Sequence, residues 1–216
     1  MSYPDTLPDR DHHCPVATLP RPRPDAPCAL PAHHPTTGRL LPVVLGAFPA
    51  DGDPCHRIGA ENKHATLAYF GNDVPRHAYP ALLSSLASTA RTHAPFEVDV
   101  TGAGHLGTQD ALVWFTGHPV TTSSENDQVD GGPLHALRRS LLADPDVRAL
   151  HDDVDQFPVF VPHVTVGYPH YENGSFATVA ERAEHVTTIR FDRLFLWWGP
   201  HTVELPLTGS VHQPTR

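Results

Sequence analysis

Two copies of a short histidine–threonine motif carry the side chains best suited to chemistry in this chain. His64 and Thr66 are separated by one residue, and so are His163 and Thr165. Each motif lies in a hydrophobic run typical of a β-strand, where residues i and i+2 point to the same face. Each therefore presents an imidazole beside a hydroxyl group. If the motifs face each other, they supply a general base, a general acid and two neutral hydrogen-bond donors, a set suited to in-line attack on a phosphodiester.

A structural role competes with this chemical one. A histidine that hydrogen-bonds a nearby threonine is an ordinary packing arrangement, and threonine is common in strands. A single His-x-Thr would favour that structural interpretation. Because the motif recurs 99 residues later in an equivalent pattern, we interpret the pair as catalytic or phosphate-binding.

Composition and charge narrow the class of protein. The chain has 15 Lys and Arg against 24 Asp and Glu, a net charge of −9, so we expect no binding to a long nucleic-acid duplex, although a small nucleotide or an RNA terminus remains compatible. The 3 cysteines are an odd number without a tight pairing pattern, which argues against a secreted disulfide scaffold. With no signal-peptide pattern and no apolar run near the ~20 residues of a membrane span, we expect a cytoplasmic protein without a membrane partner, and a monomer.

Residues 1–38 are rich in proline, histidine and charged residues, and poor in large apolar ones. Such a segment cannot bury enough surface to offset its ordering entropy, so we predict a disordered arm. A zinc site is the competing interpretation, because the arm contains typical zinc ligands: His12, His13, Cys14, Cys28, His33 and His34. Their spacing lacks the compact Cys-x2-Cys of common zinc folds and the chain has 17 histidines, so we expect no metal and no other cofactor.

From residue 39 to about 210, hydrophobic periodicity predicts one ordered domain. Strands are predicted at 42–48, 63–70, 96–100, 111–116, 159–168, 187–197 and 201–207. Helices are predicted at about 80–92, from about 133, and from about 176, and the glycine-rich segment 102–107 is predicted to be a turn. A strand with His-x-Thr, a helix and two further strands thus occur twice. This duplication predicts two similar lobes, at about 39–120 and 131–210, whose equivalent strands meet at the centre.

The motifs and their setting resemble the 2H phosphoesterase superfamily, in particular its 2′-5′ RNA ligase-like (LigT-like) branch. The segments that carry the resemblance are HATLAYFG at 64–71 and PHVTVGY at 162–168, supported by FEVDVTGAGHLG at 96–107 and FDRLFLWWG at 191–199. The resemblance covers about residues 40–208. It implies an α+β fold of two pseudo-symmetric lobes, each an antiparallel sheet with outer helices, around a central groove.

The activity implied by this resemblance is metal-independent hydrolysis of 2′,3′-cyclic phosphate RNA ends or small cyclic nucleotides, in some members with 2′-5′ RNA ligation. The implied catalytic residues are His64, Thr66, His163 and Thr165. One histidine would take a proton from the attacking water and the other would protonate the departing ribose oxygen. The threonine hydroxyls would donate to the non-bridging phosphate oxygens. By resemblance to cyclic phosphodiesterases, we expect His163 to be the base and His64 the acid.

Four other residues are candidates for substrate binding. Phe70 shares strand parity with His64 and could stack on a base, with core packing as the alternative. Tyr168 has the opposite parity to the second motif, which favours the core unless the strand bulges. Arg57 lies in the loop before the first motif and is free to approach a phosphate. His105 lies in the predicted glycine-rich turn, where a plain surface histidine is the alternative.

Nearby residues are assigned structural roles. Lys63 is expected to face away from the site, and Arg138 and Arg139 to lie on a solvated helix face. Of the neighbouring Trp197 and Trp198, at most one can enter the groove, because consecutive strand residues point to opposite faces.

Two other functions fit the same motifs. One is a phage-type hydrolase that degrades cyclic oligonucleotide immune signals. The other, from a different class, is a nucleotide-binding module without turnover, which would have no need for both histidines. Neither the substrate nor the direction of ring opening can be read from the motifs.

Overall fold

The structure is a computed structural model that describes residues 42–59, 63–72, 74–107, 111–117, 120–121, 132–154, 159–168, 176–199 and 201–210. The predicted arm at 1–38, with its candidate zinc ligands, lies outside the described residues. The described strands are β1 (Val43–Pro49), β2 (Ala65–Tyr69), β3 (Phe96–Asp99), β4 (Gly102–Leu106), β5 (Ala111–Phe115), β6 (Val120–Thr121), β7 (Val159–Phe160), β8 (His163–Gly167), β9 (Thr188–Trp198) and β10 (His201–Pro206). The described helices are α1 (Tyr79–Thr92), α2 (Pro133–Leu141), α3 (Pro145–Asp152) and α4 (Phe176–Ala183), with short 3-10 segments at Pro54–Arg57 and Arg76–Ala78.

Two antiparallel sheets organise this part of the chain. The larger has the strand order β10-β9-β1-β2, and β3 pairs with the first residues of the long strand β9. The smaller has the order β4-β5-β8, and β6 and β7 form a separate two-stranded ribbon. With helices packed on these sheets, the expected α+β class with two antiparallel lobes is confirmed.

Each sheet takes strands from both halves of the sequence. β1 and β2 join β9 and β10 in the larger sheet, whereas β4 and β5 join β8 in the smaller one. The predicted consecutive lobes, 39–120 and 131–210, therefore do not correspond to the two sheets. Strand pairing is non-local, so the order of strands along the chain does not specify which sheet each one joins.

One predicted turn is in fact a strand. The glycine content of 102–107 predicts a chain reversal, but β4 pairs with β5 along its whole length. Gly104 serves packing, since a Cβ atom on it would lie 3.0 Å from the Phe115 ring. The glycine leaves room for that ring on the neighbouring strand.

The predicted strand at 159–168 is divided into β7 and β8. Val161 and Pro162 separate the two, because proline has no N–H group to donate to a strand partner. Helix α3 is an element that the hydrophobic pattern did not predict. It begins with a cap in which the Asp144 carboxylate accepts hydrogen bonds from the backbone N–H groups of Asp146 and Val147.

The core is formed where helices cover the sheets. Helix α1 packs on β9 and β10, and α2 and α3 pack against α1. The indole N–H of Trp114 in β5 donates to the Ala183 carbonyl at 2.7 Å, which attaches α4 to the smaller sheet. Among the described residues, no helix combines the length and the apolar character needed to span a membrane.

Candidate active site

The two motif strands meet although they belong to different sheets. β2 is the end strand of the larger sheet, β8 is the end strand of the smaller one, and the two strands contact each other. The loop before β2 also packs against β8: a side chain at Gly59, whose φ is +68°, would collide with the Val166 carbonyl. Glycine permits this close approach. The fold therefore brings the two halves of the predicted site to one junction.

Each motif strand contains a β-bulge at the residue after its threonine. In β2, Leu45 is opposite Ala68 and Gly46 is opposite Thr66, so Leu67 is the extra residue. In β8, Val113 is opposite Thr165 and Leu112 is opposite Gly167, so Val166 is the extra residue. The duplicated motif thus has a duplicated backbone irregularity, and a bulge reverses the alternation of side chains beyond it.

Reversed alternation changes which aromatic residue accompanies each motif. Beyond the first bulge Tyr69 lies on the face of Thr66 and is 37% exposed, whereas Phe70 is 3% exposed and packs in the core. Core packing, the alternative for Phe70, is what the structure shows. By the same reversal Tyr168, which is half-buried, follows the second motif on the face of Thr165.

Tyr69 is a candidate that simple alternation missed. A sequence signal was available, since HATLAY and HVTVGY both place tyrosine five residues after histidine. The Tyr69 hydroxyl donates to the side-chain oxygen of Asn72 at 3.1 Å. Its ring therefore has a defined orientation at the edge of the motif face.

His163 is held in one tautomer by the residue two positions before it. Its Nδ1 lies 2.7 Å from the Val161 carbonyl oxygen. Because a carbonyl only accepts hydrogen bonds, Nδ1 carries the proton, and in the neutral ring Nε2 carries the lone pair. Burial lowers the pKa of His163, and the hydrogen bond to Val161 opposes this only in part. The ring therefore favours its neutral form, with Nε2 able to accept a proton.

His64 lies beside a row of aromatic rings on the larger sheet. Its ring centroid is 4.5 Å from that of Trp197 and 5.7 Å from that of Phe195, both in edge-to-face arrangements. Phe195 is tilted against Trp197 at 4.5 Å and stacks on Phe48 at 4.2 Å. Of the tryptophan pair, Trp197 is the half-buried one beside the motif, while Trp198 is buried. We call Phe48, Phe195 and Trp197 the aromatic row.

Gly46 makes this arrangement possible. It lies in β1 between Thr66 and Phe195, its partners in the two neighbouring strands. A Cβ atom at this position would collide with the Phe195 ring and come within 2.6 Å of the Ala65 carbonyl oxygen. The bare backbone lets the ring lie across β1, toward the motif strand.

The two remaining substrate-binding candidates are His105 and Arg57. His105 is an exposed residue of β4 opposite Leu112. Because His163 is opposite Phe115, three residues further along β5, His105 lies on the other face of the smaller sheet. Arg57 is exposed, and its carbonyl accepts a hydrogen bond from Arg182 at 3.0 Å, but no described contact joins its guanidinium to either motif.

Two basic residues near the motifs are largely covered by the rest of the protein. Lys63, the one lysine of the chain, is 1% exposed, with its Nζ 5.9 Å from the centroid of the Trp114 ring. It points away from His64 into the core, as alternation predicts. Arg138 is largely covered, whereas Arg139 is exposed. A solvated helix face thus describes Arg139 and is wrong for Arg138.

The threonines of the two motifs, Thr66 and Thr165, are both half-buried on the face of their histidines. Within the described ranges, no group of three or more His, Cys, Asp and Glu side chains is placed to hold a metal ion. The candidate site therefore consists of two imidazoles, two hydroxyls, a tyrosine beside each motif and the aromatic row.

Comparison with known proteins places this arrangement in a family. A model of the 2′-5′ RNA ligase superfamily matches residues 55–201, a range that contains both motifs. No curated protein matches the chain significantly. Similar solved structures include the protein TT0787 of Thermus thermophilus, at 18% identity over 79% of this chain and 100% of that one, with a TM-score of 0.44. They also include E. coli LigT complexed with 3′-AMP, at 18% identity over 77% of this chain and 95% of that one, with a TM-score of 0.41.

The family match spans well over half of the chain, and it covers the paired histidine motifs and both bulged strands that carry them. The chain belongs to the 2′-5′ RNA ligase superfamily of 2H phosphoesterases.

Proposed function

We propose that this protein is a metal-independent phosphodiesterase that opens 2′,3′-cyclic phosphates, at RNA ends or in small cyclic nucleotides. In this reaction His163 removes a proton from water through Nε2 while the water oxygen attacks phosphorus. The bond from phosphorus to one ribose oxygen breaks, and His64 protonates that oxygen. Thr66 and Thr165 donate hydrogen bonds to the non-bridging oxygens as negative charge accumulates there.

The observation that carries this assignment is the state of His163. A general base must be neutral and must direct a lone pair toward its proton. The hydrogen bond from Nδ1 to Val161 leaves the lone pair on Nε2, and burial keeps the pKa of the ring low. Both features favour His163 as the base.

His64 is the second imidazole of the site and is assigned as the acid, and its surroundings differ from those of His163. Its ring lies edge-to-face with Trp197, with the centroids 4.5 Å apart, whereas His163 is held by the Val161 carbonyl. Two histidines in unlike surroundings can hold opposite protonation states at the same pH, as a paired acid and base require.

The aromatic row supports a nucleotide as substrate. Trp197 is half-buried and therefore presents part of its ring to solvent next to His64. Bases stack on such rings with little dependence on sequence, at about 1–3 kcal/mol per base. A base placed on Trp197 would hold the attached ribose phosphate beside the motifs.

The direct test is incubation of the full chain with 2′,3′-cyclic AMP in the presence of EDTA, with products identified by mass spectrometry. We expect a nucleoside monophosphate, and a loss of about 10²–10⁴-fold in kcat for His64→Ala and for His163→Ala. His105→Ala, on the opposite face of the smaller sheet, is the matched control and should retain full activity. Wild-type activity in either motif variant would refute the proposal.

Further substrates in the same assay distinguish the alternative functions. Cyclic di- and trinucleotides with 3′,5′ linkages are offered in parallel, and their turnover in preference to 2′,3′-cyclic ends would indicate a hydrolase of cyclic oligonucleotide signals. Joining of RNA ends through 2′-5′ bonds would indicate a ligase. Tight binding of a nucleotide without any product would indicate a binding module.

A further inference from the structure

Arg138 reaches from helix α2 to the bulge of the first motif strand. One guanidinium nitrogen, Nη1, donates to the carbonyl oxygen of Leu67. A second, Nη2, lies 3.0 Å from Nε2 of His151 in helix α3. The guanidinium carbon is 4.7 Å from the centroid of the Phe160 ring. This side chain therefore contacts three separate elements.

The Leu67 carbonyl belongs to the residue that the bulge leaves without a partner in β1. Backbone groups of a bulge residue are displaced from the regular ladder, and a buried carbonyl needs a donor from elsewhere. Arg138 supplies a charged donor at this point, and such hydrogen bonds are stronger than those between neutral groups. The contact stabilises the bulge directly beside Thr66.

The guanidinium is also connected to the second motif, through Phe160. Phe160 ends β7, and the next residue, Val161, accepts the hydrogen bond from Nδ1 of His163. The cation–π contact with Phe160 thus supports the segment that orients the His163 ring. One side chain links the backbone after Thr66 to the backbone before His163.

His151 fixes the plane of the guanidinium. Arginine only donates, so Nε2 of His151 must accept, and Nδ1 then carries the proton that is shared with Asp152 at 3.2 Å. The His151 ring also packs edge-to-face on Phe70, with centroids 6.2 Å apart. Arg138 is therefore held at two of its three guanidinium nitrogens and on one face.

We propose that Arg138 is a positioning residue that sets the spacing between the two His-x-Thr motifs. The inference rests on the proposed function, since spacing matters only if both histidines act on one phosphate. Small displacements of catalytic groups are costly in rate: a shift of about 1 Å can reduce turnover about 10²-fold.

The test compares Arg138→Met, Arg138→Lys and the control Arg139→Met, which alters the exposed neighbour on the same helix. With 2′,3′-cyclic AMP, well below the melting temperature of each variant, we expect Arg138→Met to lower kcat by about tenfold or more while KM changes much less. Arg138→Lys should fall between Arg138→Met and the wild type, because an ammonium can retain one of the two hydrogen bonds. Arg139→Met should behave as the wild type.

A spectroscopic readout keeps this inference separate from the proposed function. In protein labelled with 15N-histidine, the ring signals of His64 and His163 should shift in Arg138→Met and stay in place in Arg139→Met. If the wild type turns over no cyclic phosphate, the proposed function fails, while the ring signals still report on positioning. A folded Arg138→Met variant with wild-type kcat, or with unchanged ring signals, would overturn the inference. If Arg138→Met does not fold, Arg138→Lys decides by the same criteria.

Discussion

Leu67 and Val166 occupy equivalent places in the two motif strands: each follows a motif threonine, and each is the extra residue of a β-bulge. In each strand two consecutive buried residues follow the threonine, Leu67 and Ala68 in β2 and Val166 and Gly167 in β8. The tyrosine that comes next therefore lies on the motif face. The local geometry of the site is thus duplicated together with the motif. This relationship separates residues that serve the site from those that serve the core.

Tyr69 and Phe70 are neighbours, but substitution of Phe70 should mainly affect stability and substitution of Tyr69 should mainly affect substrate binding. Because Phe70 is packed in the core, Phe70→Ala should lower the free energy of unfolding by about 3–5 kcal/mol. Tyr69→Ala, on the exposed face, should change stability by less than about 1 kcal/mol but should raise KM for a cyclic nucleotide. Urea denaturation and steady-state kinetics measure the two effects. Equal loss of stability in both variants would contradict the assigned faces.

Gly46→Ala should disturb the site through the aromatic row. The added methyl group would displace the Phe195 ring, which lies edge-to-face with His64, so we expect reduced kcat and a loss of about 1–3 kcal/mol in stability. Gly102→Ala is the matched control, because a Cβ atom there meets nothing within 4 Å. Retention of full activity and stability in Gly46→Ala would show that the ring is not constrained as described.

Trp197→Ala should weaken the binding of substrates that carry a nucleobase. Loss of stacking is expected to raise KM for 2′,3′-cyclic AMP by roughly tenfold. A cyclic phosphate without a base, such as glycerol 1,2-cyclic phosphate, should be hydrolysed at an unchanged rate by wild type and variant. If both substrates lose activity equally, Trp197 acts through His64 and not through the base.

The pH dependence of kcat/KM should reflect the buried state of His163. Its pKa lies below 6.5, the ordinary value for histidine, because burial disfavours the charged ring. A base with a lowered pKa stays deprotonated as the pH falls, so the acidic limb of the bell-shaped profile should have its midpoint below pH 6.5. An acidic midpoint well above that value would assign the base to another group.

Stability should decrease on mild acidification for the same reason. Burial lowers the pKa values of His151 and His163 in the folded state. Below about pH 6.5 these two histidines bind protons in the unfolded chain but remain neutral in the folded state. Protonation therefore favours the unfolded chain, and the stability that is present above pH 6.5 is lost as the pH falls. The unfolding free energy should fall between about pH 7.5 and pH 5.5, a range in which exposed carboxylates stay ionised. His163→Gln should reduce this slope; an unchanged slope would contradict the assignment.

The elements that local chemistry specifies can be predicted from the order of the amino acids. Hydrophobic runs located β1, β2, β5, β9 and β10, and helical spacing located α1 and α2. The repeated His-x-Thr supplied the residues of the proposed reaction. These features depend on residues a few positions apart, so the amino-acid order contains them. The distribution of strands over two sheets cannot be predicted in this way, because β8 pairs with β5 and not with its sequence neighbours.

The residues that complete each motif depend on contacts between distant parts of the chain. A bulge exists only relative to a partner strand, so the faces of Tyr69 and Phe70 could not follow from alternation within β2. The approach of Trp197 to His64 depends on β1 lying between their strands, and the burial of Arg138 depends on the packing of α2 against β2. These contacts join residues that are distant in sequence, and their positions depend on packing and strand register instead of local preference.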